Sequence, residues 1–516
     1  MINNNYYYNL NQLFLSIVEN YGHNDCIHLK EISYSYNDLD QLSSKFVSFL
    51  RYNNLKQGDV VAIINTKEIE SYALMIACLK LGLPYVNIDV DNPTLRTEKI
   101  FDTCHPMLVF SDSDKSENIV ELTNKRNILL VDKAQFQQTK IAVEYDDSIS
   151  QKLDGDTIAY IMFTSGSTGS PKGVAISHQS LLHFIAWSKQ RFEVKPHDNF
   201  ANLSPMYFDN SVFDFYSALF TGASMTPIKK EQFNQPLDLV NYITKKECTI
   251  WFSVPSLMIY LMNMRVITDK VLNKIRLFSF GGEGYPKKEL KKIFDIYASL
   301  SDIYIVYGPS ECTCICSSYK ISDVDFVDLS VLPSLGEINP NFSYNIVNDN
   351  NEISTEGELC LIGPNVGLGY YNDLERTSLH FRHCTDKPHY GKRLYKTGDL
   401  VKEVGGLLYF KGRKDFQIKH MGYRIEIEEI ELVISEIENV KQSAVIYHRV
   451  NESYGKIIAF ISIADTNLDV QYITERLSKK LPSYMIPNTF IFYDELPKNA
   501  NGKIDKNRLR EDFVSK

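Results

Sequence analysis

The sequence predicts an α/β protein, with a large N-terminal domain over 1–414 and a small α+β domain over 415–516. Three observations predict it. Short apolar runs alternate with helical periodicities as far as Tyr307, the texture turns to short strands with close turns beyond about residue 335, and a compact run of strands and helices follows Gly412-Arg413-Lys414-Asp415. A chain of 516 residues exceeds one core, since a domain averages about 150 residues.

Leu10, Leu13, Phe14, Ile17 and Val18 repeat with helical spacing, and Leu39, Leu42, Phe46 and Leu50 do so after the capping pattern Ser35-x-x-Asp38. Strands are expected at 60–64, 85–90, 107–110 and 128–131, with helices at 68–80 and 94–104 between them, the signature of a largely parallel sheet. The alternation resumes with strands at 159–163, 250–253, 275–280 and 303–307, three of which run into turns containing glycine. In such sheets functional loops lie at strand ends. A β-rich subdomain follows, with strands at 358–362 and 407–410. The C-terminal segment reads as a strand near Phe416, a helix at 427–437, strands at 443–447 and 457–463, and a helix at 470–480.

Composition excludes several classes. Hydrophobic residues make up 44% and charged residues 23%, which is ordinary for a globular chain. Fifty-five basic against 64 acidic residues leave −9, so no overall cationic field points to nucleic acid or anionic lipid. The longest apolar stretch, 249–264, is interrupted by Ser253, Pro255 and Ser256, so no membrane insertion is expected. Nine scattered cysteines suit a reducing cytoplasm, and the N-terminus lacks the basic region of a signal peptide.

The most informative stretch is Tyr160-Ile-Met-Phe-Thr164-Ser165-Gly166-Ser167-Thr168-Gly169-Ser-Pro-Lys172, an expected strand entering a Gly, Ser and Thr loop closed by a lysine. Glycines let backbone N–H groups approach phosphate oxygens, hydroxyls add donors and the lysine adds charge. The spacing is not that of a Walker A loop.

This string resembles the phosphate-binding loop of the adenylate-forming superfamily, which includes acyl-CoA synthetases, luciferases and the adenylation domains of nonribosomal peptide synthesis. Its other motifs follow in order. Val306-Tyr307-Gly308-Pro309-Ser310-Glu311 resembles the ATP-binding segment whose aromatic ring stacks on adenine and whose glutamate helps hold Mg²⁺, with Ser310 in place of the usual threonine but retaining the hydroxyl. Tyr395-Lys-Thr-Gly-Asp399 is similar to the motif that binds the ribose hydroxyls of ATP, and Arg413 to a second nucleotide contact. Asp415 falls at the superfamily's hinge, Gly422 in the loop lining the thiol tunnel, and Lys503 at the catalytic lysine that reaches carboxylate and α-phosphate. Because the attacking carboxylate is already ionised near neutral pH, this chemistry needs no general base. It needs cations and donors that offset repulsion between two anions, here Lys503, the loop and Mg²⁺ on Glu311.

Asp209, in Phe208-Asp209-Asn210, falls where the resemblance places the partner of a substrate α-ammonium, which implies an amino acid as substrate. The competing reading makes Asp209 the cap of a helix over 211–219. By resemblance the remaining pocket positions are Asn210, Phe213, Ser253, Ser279, Gly281, Val306, Cys314 and Ile315; Asp214 reads as structural. Several segments are similar to D-alanine carrier protein ligases. Where those carry a cysteine before Gly-Glu this chain has Gly281, which implies room for a larger or differently oriented side chain. Cys312, Cys314 and Cys316 read as packing residues of an alternating segment.

The resemblance thus implies aminoacyl-AMP formation from an amino acid and ATP with Mg²⁺, then transfer to the phosphopantetheine thiol of a separate carrier protein, because no Gly-Gly-x-Ser carrier segment follows Lys503. An acyl-CoA or aryl-acid ligase shares every nucleotide motif and is disfavoured by Asp209. A non-catalytic nucleotide-binding regulator is disfavoured by Lys172 together with Lys503.

Overall fold

Helix Leu10–Tyr21 starts where the Asn9 side chain accepts the amide of Gln12, and helix Tyr36–Tyr52 starts at a reciprocal capping box between Ser35 and Asp38. A computed structural model describes residues 6–113, 117–139, 152–166, 169–384, 392–450, 455–463, 468–499 and 504–514. By packing, the chain divides into two units. One comprises Met1–Val90, Thr103–Phe163 and Gly173–Lys414; the other comprises Asp91–Asp102, Thr164–Lys172 and Asp415–Lys516.

The apolar runs of the first unit form two large sheets where the sequence suggested one alternating series. The first has seven strands in the order Gly369–Tyr370, Lys172–Ser177, Ile158–Thr164, Tyr85–Ile88, Val61–Ile64, Leu108–Ser111 and Leu129–Asp132. The second has nine, with Asp302–Tyr307, Leu277–Phe280, Ile250–Ser253, Asn199–Asn202, Ser224–Pro227 and Asp25–Leu29 as its parallel centre. A separate sheet pairs Lys392–Val404 with Glu356–Ile362, Phe381–Cys384 and Leu407–Arg413. This is the expected β-rich subdomain.

Strands Asn199–Asn202 and Ser224–Pro227 escape a hydrophobicity reading because polar residues, Asn199, Asn202, Ser224 and Thr226, take up half of their buried positions. Asn202 accepts from the Tyr72 hydroxyl at 3.1 Å and donates to Asp214 at 3.1 Å. Lys67, itself buried, donates to the carbonyls of Asn202 (2.7 Å), Leu203 (3.2 Å) and Ile228 (2.9 Å), tying the ends of these two strands together. Burial pushes Lys67 below the usual lysine range and Asp214 above the usual carboxylate range. Asp214 is fully buried and packs as a structural group.

In the second unit, Gln417–His420 and Tyr423–Glu426 form a hairpin closed by Met421 (φ 51°) and Gly422 (φ 84°). A two-residue turn with both φ values positive matches the twist of its strands. Val440–Arg449, Gly455–Ile463 and Thr489–Tyr493 form a three-stranded sheet. One face of it packs with Ile430, Ile434, Ile473 and Leu477; the other packs with Leu496 and Leu509. Among the described residues no helix is long and apolar enough to cross a membrane.

One position follows directly from the turn after strand Asp302–Tyr307. A Cβ on Gly308 would stand 2.0 Å from the Cys314 carbonyl oxygen. Gly308→Ala should therefore destabilise the protein by about 3 kcal/mol, the upper range for overpacking. The check is a urea unfolding midpoint, which should fall; an unchanged midpoint would mean the turn can open at no cost.

Candidate functional site

The parallel strands of the nine-stranded sheet end at Ser253, Phe280 and Tyr307, and the candidate residues of the first unit include positions at and just after those ends, where α/β sheets place their ligands. Tyr307, the last residue of its strand, donates its hydroxyl to Asp399 Oδ2 at 2.6 Å, while Arg413 Nη1 donates to Oδ1 at 2.6 Å. Asp399 and Arg413 face each other across the antiparallel ladder, so the sheet register sets the ion pair. Burial first, then the adjacent Asp399 charge, pushes the Tyr307 phenol well up, which keeps it a donor.

Pro309 leads into a short 3-10 turn, Ser310–Cys312. Glu311 in that turn is fully buried and accepts the Tyr370 hydroxyl at 2.9 Å. Ser310 Oγ donates to Asp209 Oδ2 at 2.5 Å. Asp209 precedes helix Asn210–Leu219 but makes no side-chain cap there, so the structure removes the helix-cap reading. Asn210 opens that helix, and a Cβ placed on Gly282 would come within 3.9 Å of its Nδ2.

The Phe213 ring meets Phe252 edge-on with centroids 5.4 Å apart, and Phe252 pairs in register with Ser279. Ser253 accepts from Trp251 Nε1 at 2.8 Å and donates to the Val254 carbonyl at 3.1 Å, whereas the buried Ser279 hydroxyl has no protein partner. The room expected beside Gly281 is absent. A Cβ there would lie 2.8 Å from Val306 Cγ2 and 2.9 Å from Val306 O, so the missing side chain is what lets Val306 close in.

Cys312, Cys314 and Cys316 do not alternate along a strand as the sequence suggested. Thr313 (φ 57°) and Cys314 (φ 72°) are left-handed, the chain folds back, and all three thiols are buried beside Ile315. Packing is nevertheless their role. Burial, with the nearby Asp209 and Asp214 charges adding to it, pushes the Cys314 thiol well above its ordinary range.

The Gly, Ser and Thr loop belongs to the second unit. Ser165 Oγ donates to the Arg424 carbonyl at 2.8 Å, the Gly166 amide points at Glu429 Oε2 at 3.3 Å, and Lys99 Nζ donates to the Gly169 carbonyl at 2.5 Å. Lys172 Nζ lies 3.9 Å from Glu426 Oε1, and Arg96 Nη1 lies 3.2 Å from Glu429 Oε1. The Thr164 hydroxyl is buried with no protein partner. Gly169 has φ 75°, a backbone that glycine adopts freely. Asp415 is exposed and accepts the Gln417 amide at 3.2 Å. Ser167, Thr168 and Lys503 lie outside the described residues.

Residues 16–371 match the AMP-binding enzyme family, and residues 429–503 match the AMP-binding enzyme C-terminal domain. The chain belongs to the AMP-binding enzyme family. A D-alanine–D-alanyl carrier protein ligase of Bacillus licheniformis is 30% identical, over 94% of this chain and 95% of its own length. An L-proline–[L-prolyl-carrier protein] ligase of Pseudomonas fluorescens is 31% identical, over 92% of this chain and 93% of its own. In fold the chain is similar to the Vibrio cholerae adenylation domain AlmE, solved in complex with glycyl-adenosine-5'-phosphate, with a TM-score of 0.85, 21% identity and full coverage of both chains.

Within this family framework, sequence reasoning missed Tyr370 beside Glu311, and Arg96, Lys99, Glu426 and Glu429 around the loop. Arg96 and Glu429 stand 333 positions apart, so no local spacing announces their pairing. The thiols give a direct check. Native protein treated with iodoacetamide at pH 8 should leave Cys312, Cys314 and Cys316 unmodified, with labelling appearing only in urea, because all three are buried out of reach and burial also keeps the Cys312 and Cys314 thiols protonated. Peptide mapping by mass spectrometry reads the result; native labelling of Cys314 would contradict the packed geometry.

Proposed function

We propose that this member of the AMP-binding enzymes activates an amino acid with ATP as an aminoacyl-adenylate, releases pyrophosphate, and passes the aminoacyl group to the phosphopantetheine thiol of a separate carrier protein. Support comes from family membership and from relatives named as carrier protein ligases for D-alanine and L-proline. The single observation that carries the amino-acid reading is Asp209, a half-buried carboxylate held by Ser310 beyond the ends of the parallel strands. A carboxylate there suits a cationic ammonium and would be costly to leave beside a neutral acid.

In this reading Tyr307, backed by Gly308 and Pro309, presents its ring to adenine, and Asp399, already oriented by Tyr307 and Arg413, takes the ribose hydroxyls. Thr164 to Gly169 and Lys172 receive the phosphates, for which the unpartnered Thr164 hydroxyl is a ready donor. Glu311 is the carboxylate of the motif, buried in the short turn after the strand that ends at Tyr307. One carboxylate fits Mg²⁺, a cation that keeps several waters and shares substrate phosphates. Glu311 would hold it, and the ion would supply charge neutralisation at the phosphates.

The substrate carboxylate oxygen attacks the α-phosphorus; a new O–Pα bond forms, and the bond from Pα to the oxygen bridging to the β-phosphate breaks, its electron pair leaving with pyrophosphate. Lys503 offsets the charge that develops at phosphorus. The carrier thiol then attacks the acyl carbon and AMP leaves. We place the mobile domain at 415–516, with Asp415 as its pivot and Gly422 in the path of the thiol, so that one domain serves both steps in turn.

Two outcomes test this. Asp209→Ala should abolish amino-acid-dependent pyrophosphate release while leaving ATP affinity within about threefold, since the lost contact touches only the ammonium. Normal amino-acid activation by that variant would remove the substrate class. Lys503→Ala should lose at least about 3 kcal/mol of transition-state stabilisation in adenylate formation, yet load the carrier from presynthesised aminoacyl-AMP. A bulky residue at Gly422 should do the reverse, and equal loss of both activities in both variants would count against domain alternation.

A further inference from the structure

Asp209 and Ser310 meet across 101 positions of sequence, with the Ser310 hydroxyl 2.5 Å from Asp209 Oδ2. A carboxylate has no hydrogen to give, so the hydroxyl is the donor, and a hydroxyl has only one hydrogen. While that hydrogen is committed to Asp209 it cannot also go to the nucleotide, the role that the resemblance implied for this residue. The residue is well placed for the first role. Pro309 precedes it, the Cys312 amide closes the turn onto the Pro309 carbonyl at 2.9 Å, and the neighbouring Gly308 packs against the Cys314 carbonyl. Ser310 is itself buried, so its hydroxyl stands on a fixed platform.

Asp209 makes no side-chain cap to its own helix and is half-buried, so the Ser310 contact bears directly on the direction of its carboxylate. A charge-assisted hydrogen bond fixes one oxygen and leaves the carboxylate with lone pairs enough for an ammonium. We infer that Ser310 is a positioning residue of the amino-acid site, whose hydroxyl orients the Asp209 carboxylate toward the substrate ammonium. This rests on the reading above that Asp209 receives that ammonium. It reassigns the third member of Gly-Pro-Ser-Glu from the nucleotide to the amino acid.

The experiment is steady-state pyrophosphate release by wild type, Ser310→Ala, Ser310→Thr and Ser310→Cys, varying the amino acid at saturating ATP and then ATP at saturating amino acid. The amino acid is the best substrate of a panel of the twenty common L-residues, glycine and D-alanine. Loss of a hydrogen bond to a charged group should raise the amino-acid KM of Ser310→Ala about tenfold or more, with the ATP KM within about twofold. Threonine keeps the hydroxyl and should restore the wild-type value, while cysteine, a weak donor of similar size, should fall between. A rise in the ATP KM with an unchanged amino-acid KM would return Ser310 to the nucleotide and overturn the inference, as would failure of threonine to rescue. Should Ser310→Ala fail to fold, the order of the cysteine and threonine variants decides alone. A wild-type enzyme that activates no amino acid overturns the proposed function and this inference together; one that does so with Ser310 silent overturns only the inference.

Discussion

The Asp399 carboxylate, buried between Tyr307 and Arg413, is the constraint on which the candidate site depends. Its two partners come from different sheets. Tyr307 ends a parallel strand of the nine-stranded sheet, and Arg413 ends the hairpin partner of the strand that carries Asp399. Satisfying a buried carboxylate from both directions costs less than leaving it bare, so the β-rich subdomain is held against the mouth of the α/β body within the first unit. The turn that follows Tyr307 is then fixed at its start, and that turn carries Ser310 and Glu311.

From this fixed turn the rest of the site takes its positions. Gly308 permits the close return of the chain at Cys314, the left-handed residues Thr313 and Cys314 complete the fold-back, and Val306 occupies the space that Gly281 leaves. Each carboxylate of the first-unit site meets a hydroxyl: Asp399 that of Tyr307, Glu311 that of Tyr370 and Asp209 that of Ser310. A neutral hydroxyl donor orients an anion without cancelling its charge, which suits Glu311 to a hydrated cation and Asp209 to an ammonium, whereas Asp399 is also paired with Arg413.

Much of this was legible in the sequence, for physical reasons. Strands such as Ile250–Ser253 and helices such as Thr94–Cys104 emerge at their expected places because apolar runs and helical spacing report burial. The motifs around 164–172, 306–311 and 399 are local, so their residue types could be read together. Long-range pairings were not readable. Nothing in Ser310 alone announces Asp209, and nothing near Lys67 announces the three carbonyls it binds. Strand Asn199–Asn202 was invisible because its buried asparagines spend their polarity on partners distant in sequence. The empty space inferred from Gly281 was filled by Val306 of the adjoining strand, a consequence of packing that composition cannot show.

The central claim is that a carboxylate at position 209 selects acids bearing an α-ammonium. Its most direct measurement is ATP–pyrophosphate exchange with matched pairs, each amino acid beside the acid that lacks only its amino group, such as alanine with propionate and glycine with acetate. The account predicts exchange with at least one amino acid and a loss of about a hundredfold or more for its des-amino partner, since a half-buried carboxylate would face a neutral group where the ammonium should stand. Equal exchange within a pair, or preference for the des-amino acid, would contradict it.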